Sequence, residues 1–395
     1  MKTNASRFHP EQFIAGHVRD VPRSGIRDFF EIVSSRDDVI SLGIGEPDFV
    51  TPWHIREAAV YALDHGVTSY TANLGMPKLR EEIAAYVQRS YKTSYNPANE
   101  VLVTVGVSEA LDIAIRAITE PGDEIIYHEP CYVSYAPIVT FTHGKPVKVE
   151  TTAENGFRLN RAMVEPLVTD RTKALLLNFP TNPTGGVLTD EDINGLADLA
   201  AERNFLIIAD EIYSELTYDV VRTSMLSRPD IRERVIFLNG CSKAWAMTGF
   251  RIGFACAAPP LIEAMMKIHQ YSMLCAPVLS QEAAIEALRN GDTDIKKMRD
   301  EYRRRRNYVC SELNAMGLPC HVPHGAFYVF PCIASTGLSS KDFALKLLEE
   351  EQVACVPGTA FGSGGEGFLR CSYATGMDDI KEAMLRMKRF VERLT

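Results

Sequence analysis

Three apolar runs constrain what this chain can fold into more than any other feature. Ala174–Leu177 runs into Asn178, Leu206–Ala209 into Asp210, and Val235–Leu238 into Asn239. Consecutive apolar residues leave a strand no polar face, so it must be covered on both sides. The stretch Thr189–Arg203, between the first two runs, has helical patterning. It opens with Thr189 and Asp192 at capping-box spacing, with Asp in place of the usual Glu. Strands alternating with helices predict an α/β fold, a mostly parallel sheet sandwiched by helices. Ligands of such open sheets gather at the carboxyl ends of the strands. The polar residues that close the three runs fall on that edge.

Other stretches add candidates to the same edge. Val101–Val105 leads into Gly106-Val107-Ser108, after which Leu111, Ile115 and Ile118 recur at helical spacing. A helix N-terminus offers unpaired N–H groups and partial positive charge, which suits a phosphate. Ser108 either caps that helix or turns its hydroxyl to the phosphate. Glu124–Tyr127 reads as a further strand, followed by Tyr132 and Tyr135. Val235–Leu238 delivers a single lysine, Lys243, into small residues, and the apolar run Ile252–Cys256 follows Arg251. Ammonium groups are rarely buried without a partner. Taken alone, Lys243 is either an amine that forms a Schiff base, with Arg251 beside an anionic cofactor, or a loop lysine next to a strand. Asp210 alone is either a ligand-facing acid or a helix cap before Glu211.

The remaining chain sets the domain plan. Ser41–Asp48 reads as a short strand entering a glycine-rich turn, where Gly45 permits close backbone approach to a ligand. His54–Asp64 and Pro77–Arg89 are helical, with Tyr70 in the loop between them. Beyond residue 290 the pattern changes to long helices (Thr293–Met316, Asp342–Glu351, Asp378–Leu394) and short strands (Phe327–Phe330, Phe368–Ser372). The expected division is an N-terminal arm (1–45), a large domain (46–290) and a smaller α+β domain (291–395) that the arm joins. Gly362–Gly367 formally matches G-x-G-x-x-G, but it precedes a strand and opens no helix, so it reads as a flexible loop. His321 and His324 lie in a loop and read as structural; no metal site is expected.

Composition excludes several functions. A net charge of -9 gives no basic footprint for nucleic acid. Arg303–Arg306, with Glu301 nearby, reads as a solvated helix face. No apolar stretch approaches the ~18 residues of a membrane span, and Met1–Asp20 lacks the apolar core of a secretory signal. Nine cysteines without a Cys-x-x-Cys pair indicate reduced thiols and a cytoplasmic enzyme.

The stretches Asn239–Gly253, Asn178–Gly185, Asp210–Tyr213 and Phe368–Ser372 carry Lys243, Arg251, Asn182, Asp210, Tyr213 and Arg370. Their order and spacing resemble fold-type I pyridoxal-phosphate (PLP) aminotransferases of the aspartate/aromatic class, over nearly the whole chain. The resemblance implies a homodimer that moves an amino group from an L-amino acid to a 2-oxo acid by a ping-pong cycle. Aspartate, aromatic, alanine and N-acetyl-diaminopimelate enzymes share this branch. It implies that Lys243 holds the cofactor aldehyde and then shuttles a proton, and that Asp210 keeps the pyridine nitrogen protonated. Asn182 and Tyr213 donate to the ring's phenolic oxygen, and Tyr132 stacks on the ring; Tyr135 reads as core. Gly106, Val107, Ser108, Ser242 and Arg251 hold the phosphate, together with the partner's Tyr70. Arg370 clamps the substrate carboxylate with help from Asn182 and Gly45, while Ser24 and Ile26 lie in the segment over the substrate side chain. One departure is Gly240, where the family commonly carries Ser or Thr. The same motifs fit a PLP-dependent C–S β-lyase. A non-catalytic PLP-binding regulator would need a DNA-binding domain, for which no basic segment exists.

Overall fold

The computed structural model describes residues 9–23, 25–26 and 38–394; Ser24 lies outside them. A seven-stranded sheet forms the centre. Its strands are β1 (Val101–Thr104), β2 (Glu124–Glu129), β3 (Lys145–Glu150), β4 (Thr172–Asn178), β5 (Leu206–Asp210), β6 (Val235–Gly240) and β7 (Gly253–Cys256). They lie in the order β1-β7-β6-β5-β4-β2-β3. Every neighbouring pair is parallel except the two made by β7, which runs antiparallel to β1 and β6. This is the mostly parallel α/β sheet that the apolar runs require.

The period of two along each strand sends alternate residues to opposite faces. Leu175, Leu177, Ile207 and Phe237 join one core, and Leu176, Ile208, Ile236 and Leu238 join the other. Each such side chain contributes about 1.5–3 kcal/mol on burial, which is why these strands tolerate no polar face. The first core is covered by α1 (Pro77–Tyr91), and the second by α2 (Gly106–Ile118). Next in the chain, α3 (Asp190–Arg203) covers the first core, α4 (Pro259–Ser272) the second and α5 (Val278–Asn290) the first again. The capping box of α3 forms as expected: Asp192 N–H donates to Thr189 Oγ1 at 3.2 Å, and Thr189 N–H donates to Asp192 Oδ2 at 2.9 Å.

The C-terminal residues build a separate layer. It contains α6 (Asp292–Ala315), α7 (Ser340–Glu351) and α8 (Met377–Glu392), with a three-stranded antiparallel sheet. That sheet is formed by Val356–Pro357, Leu369–Ser372 and Tyr328–Val329. Ile40–Ser41 pairs in parallel with Val353–Ala354, which attaches the start of the chain to this layer. Leu42, Tyr213 and Leu216 share a core with Tyr302, Phe343 and Met387. The loop after β5 is thereby packed against the C-terminal layer, and the carboxyl edge of the large sheet is roofed.

The glycine-rich stretch 362–367 differs from the flexible loop expected. It contains a 3-10 turn, Ser363–Gly365, and Ser363 N–H donates to Glu129 Oε2 at 3.2 Å. A side chain at Gly362 would fall 2.5 Å from the same carboxyl group, so glycine there serves close packing.

Candidate active site

A cavity of about 350 Å³ opens where β4, β5 and β6 end and α2 begins, with Tyr328 and Arg370 of the C-terminal layer on its far wall. It is lined by Gly45, Val107, Ser108, Tyr132, Asn182, Asp210, Tyr213, Ser242, Lys243, Arg251 and Arg370. Sequence motifs spread over more than three hundred residues thus converge. Ile26 also lines it. Tyr70 does not reach this cavity within its own chain; its side chain is 84% exposed.

Lys243 sits in the short helix Cys241–Ala244 that follows β6. Its Nζ donates to Gly45 O at 2.7 Å and lies 5.9 Å from the Tyr213 ring centre. Burial pushes its pKa down to about 8; Glu46 opposes this, and Arg370 and Arg251 reinforce it. A lysine with that value supplies free amine near neutral pH, which a surface lysine does not. This lysine is largely buried in the cavity wall rather than exposed on a surface loop.

Asp210 closes β5 and is buried. No helix begins after it, so it is no helix cap. Its Oδ2 accepts the Tyr135 hydroxyl at 2.8 Å, and its Oδ1 accepts Ile212 N–H at 3.3 Å. Burial raises its pKa to about 6 despite both donors and the attraction of Lys243. At neutral pH it is a carboxylate held in a site that disfavours the charge, and a cationic partner would relieve it.

The α2 end forms a cradle. Ser108 lies within the helix and makes no capping bond; the first-turn carboxylate is that of Glu109, whose Oε2 accepts Val105 N–H at 2.5 Å. Gly106 has φ +75°, and a Cβ there would lie 2.6 Å from Arg251 Nη2. At Gly253 a Cβ would lie 2.6 Å from Val107 N, and at Gly240 one would lie 2.9 Å from Ile252 O. These contacts explain the departure at Gly240: β6, β7 and the start of α2 approach too closely for Ser or Thr without a shift. Backbone N–H groups at the start of α2 and the Arg251 guanidinium are groups there that could donate to an anion.

Arg370 faces this cradle across the cavity and is fully buried. Its Nη1 donates to Asn182 Oδ1 at 3.1 Å, Nη2 donates to Gly43 O, and Nε has no partner among the described residues. No carboxylate pairs with it among the described residues, so the internal ion pair is ruled out there. A buried guanidinium without an acid is poised for an incoming carboxylate. Its ring neighbours are Tyr328, at 4.6 Å from Cζ, and Phe361, at 4.8 Å.

Four further residues at the site were given no chemical role by the sequence reading. Tyr135 is buried as expected of core, yet its hydroxyl serves Asp210. Tyr328 shares a 3.0 Å hydrogen bond with the Tyr213 hydroxyl. Asn178 orders the turn after β4: its Nδ2 donates to Asp210 O at 3.0 Å, and its Oδ1 accepts Asn182 N–H at 3.2 Å. Glu46 accepts the Thr248 hydroxyl at the cavity rim. Only Asn178 carried a signal, as a polar residue closing an apolar run. Asn239 carried the same signal but turns away, donating to Tyr91 Oη at 3.1 Å.

The family described as aminotransferase class I and II matches residues 37–387. The YugH protein of Bacillus subtilis, provisionally named an aminotransferase, is 51% identical, covering 97% of this chain and 99% of its own. The aspartate aminotransferase of Pyrococcus abyssi is 46% identical over 93% of this chain and 95% of its own. A crystal structure of the aromatic aminotransferase of Pyrococcus horikoshii superposes with a TM-score of 0.89 at 44% identity, covering 94% of this chain and 100% of that one. Family match, relatives and fold agree over nearly the full length, so this chain belongs to the class I and II aminotransferases, enzymes that transfer amino groups.

Proposed function

We propose that this transaminase is a cytoplasmic homodimer that binds PLP in the cavity around Lys243 and transfers the amino group of an L-amino acid to a 2-oxo acid. One observation carries the reading. A lysine of lowered pKa, a buried acid, an anion cradle and an acid-free buried arginine face one another in a single cavity. That donor set matches PLP and an amino-acid carboxylate group by group: amine for aldehyde, Asp210 for the ring nitrogen, Gly106–Ser108 with Ser242 and Arg251 for the phosphate. When bound, PLP supplies an aldehyde for the substrate amine and a ring that accepts the electron pair left at Cα.

The residues then divide the work. Asp210 would hold a proton on the ring nitrogen, and Tyr135 fixes the carboxylate that would do so. Asn182 and Tyr213 would donate to the phenolic oxygen, and Tyr132 would pack against the ring. Arg370 orients the substrate through its carboxylate, with Asn182 and the Gly45 turn beside it, so that the Cα–H bond points toward Lys243. Lys243 Nζ would take the Cα proton and hand it to the cofactor's former aldehyde carbon from the same side, so that one amine serves as base and then as acid.

The homodimer rests on Tyr70, Tyr271 and Trp53, large aromatics exposed by 84%, 89% and 58% in the single chain. Exposed apolar surface of this kind fits a partner subunit, and Tyr70 is assigned to the neighbouring phosphate site. Residues 46–290 are assigned to the cofactor domain and 291–395 to a smaller domain, to which Ile40–Ser41 is attached by pairing with Val353–Ala354. Relatives named for aspartate and aromatic substrates place both classes among the donors to try.

The test is the visible spectrum of the purified protein with a panel of single amino acids. The expected result is a yellow band that one amino acid bleaches and a 2-oxo acid restores. Absence of a band after PLP is supplied would overturn the cofactor reading. Pyruvate and ammonia released without any acceptor would overturn the transfer reading.

A further inference from the structure

Behind the cradle, and outside the cavity, lies a buried acid–imidazole pair that the site does not use. Glu109 stands in the first turn of α2 and His269 in the last turn of α4. His269 Nδ1 lies 2.6 Å from Glu109 Oε1, while Glu109 Oε2 accepts Val105 N–H at 2.5 Å. The His269 side chain is 0% exposed and that of Glu109 7%. Among the described residues His269 Nε2 has no hydrogen-bond partner, and Glu109 is the ring's hydrogen-bond anchor.

The pair is also the junction of two loops. On one side, Val105 leads directly into Gly106 and the cradle. On the other, His269 O accepts Met273 N–H at 2.9 Å and Leu274 N–H at 3.0 Å, which turns the chain out of α4. Leu274 O accepts Asn73 Nδ2 at 2.9 Å, and Gln281 Nε2 donates to Thr71 Oγ1 at 2.9 Å. These bonds hold the loop that carries Tyr70. A continuous hydrogen-bonded path therefore runs from the start of α2, through Glu109 and His269, to that loop.

We propose that Glu109 and His269 are positioning residues that tie the Val105–Gly106 turn, which faces this chain's own phosphate site, to the Tyr70 loop, which serves the phosphate site of the partner subunit. The proposal rests on the reading of Gly106–Ser108 as the phosphate turn. Neither side chain touches the cofactor. Glu109 fixes the first N–H of the turn, and His269 fixes the Glu109 carboxylate in the one orientation that does so. Without the imidazole, a buried carboxylate loses its strong donor and is free to leave Val105. Around metal sites, outer hydrogen-bond partners change affinity by about tenfold or more without touching the ligand, and an effect of that order is expected here.

The experiment compares wild type with His269→Leu, His269→Asn and Glu109→Gln. Asn places an amide donor near the Nδ1 position, and Gln keeps an acceptor for Val105 N–H. PLP affinity is measured by titrating cofactor-free protein, with the phosphorus NMR line of bound PLP as a second readout. The expected result for His269→Leu is a PLP Kd raised about tenfold, a shifted phosphorus line, and unchanged kcat and KM at saturating PLP. His269→Asn and Glu109→Gln recover most of the affinity. Two outcomes overturn the proposal: an unshifted line with affinity within about twofold of wild type, or kcat falling with affinity in all three variants, which marks a packing role only. Wild-type protein that fails to bind PLP refutes the cofactor reading itself, a result distinct from both.

Discussion

Asp210→Asn separates what the site needs from what the fold prefers. Burial raises the Asp210 pKa from 3.8 to about 6, so the folded chain binds a proton more tightly than the unfolded chain does. Below the unfolded value the group is neutral in both states and there is no penalty. As pH rises through about 6 the penalty becomes complete, and the shift corresponds to about 3 kcal/mol at neutral pH. Asn removes the charge but keeps only one acceptor for the two donors, Tyr135 Oη and Ile212 N–H, a loss of about 1 kcal/mol. The cofactor-free variant is therefore expected to be more stable than wild type by about 2 kcal/mol near pH 7 and no more stable near pH 4.

The assay is denaturant unfolding of both cofactor-free proteins at the two pH values, read from the midpoint at constant slope. Buried Trp245, two positions after Lys243, is a convenient fluorescent probe. Transamination at saturating PLP is expected to fall by about a hundredfold or more, because the ring nitrogen loses its acid partner. A variant less stable than wild type near pH 7, or a difference that does not change with pH, would show that burial does not strain this carboxylate. The electrostatic argument for a cationic partner would fall with it.

Other substitutions report on single groups. Lys243→Ala is expected to abolish turnover and the visible band while circular dichroism stays unchanged; turnover at the wild-type rate would refute its role. Arg370→Lys loses the planar fork, and KM for amino-acid substrates should rise about 10- to 100-fold with a smaller change in kcat, measured by steady-state kinetics. Gly106→Ala forces a side chain into φ +75° and to within 2.6 Å of Arg251 Nη2. It should weaken PLP binding and cost about 1–2 kcal/mol of stability in denaturant titration. Tyr70→Phe should raise the PLP Kd without changing the oligomer seen by sedimentation; unchanged affinity would exclude it from the phosphate site.

What the sequence made legible was whatever the backbone itself delivers. Asn178 and Asp210 end parallel strands, so they reach one edge of the sheet whatever the details of packing, whereas Asn239, read as closing the third run, turns away to Tyr91. The α3 capping box and the limits of α6 were legible for the same reason, because caps and periodicity act within a few residues. Tyr135 and Tyr328 were not legible. Tyr135 meets Asp210 across 75 positions and Tyr328 meets Tyr213 across 115. A tyrosine in an apolar stretch looks the same whether its hydroxyl faces a carboxylate or a carbonyl.

That difference bears on how the site is built. Residues fixed by strand ends supply the reactive groups, and residues brought in by tertiary packing set their orientation and charge. Lys243 shows the division. Its position follows from β6, but its pKa near 8 follows from burial beneath Tyr213 and Phe327 and from Arg370, a residue of the C-terminal layer. Arg370 in turn keeps its own charge free of any acid only because Gly43 O, Asn182 Oδ1 and the Tyr328 ring satisfy it without neutralising it. Movement of the C-terminal layer relative to the large sheet would therefore shift the lysine and the carboxylate clamp together. Amine basicity and substrate orientation are set by one packing contact, so a change that loosens it should lower kcat and raise KM in the same variant.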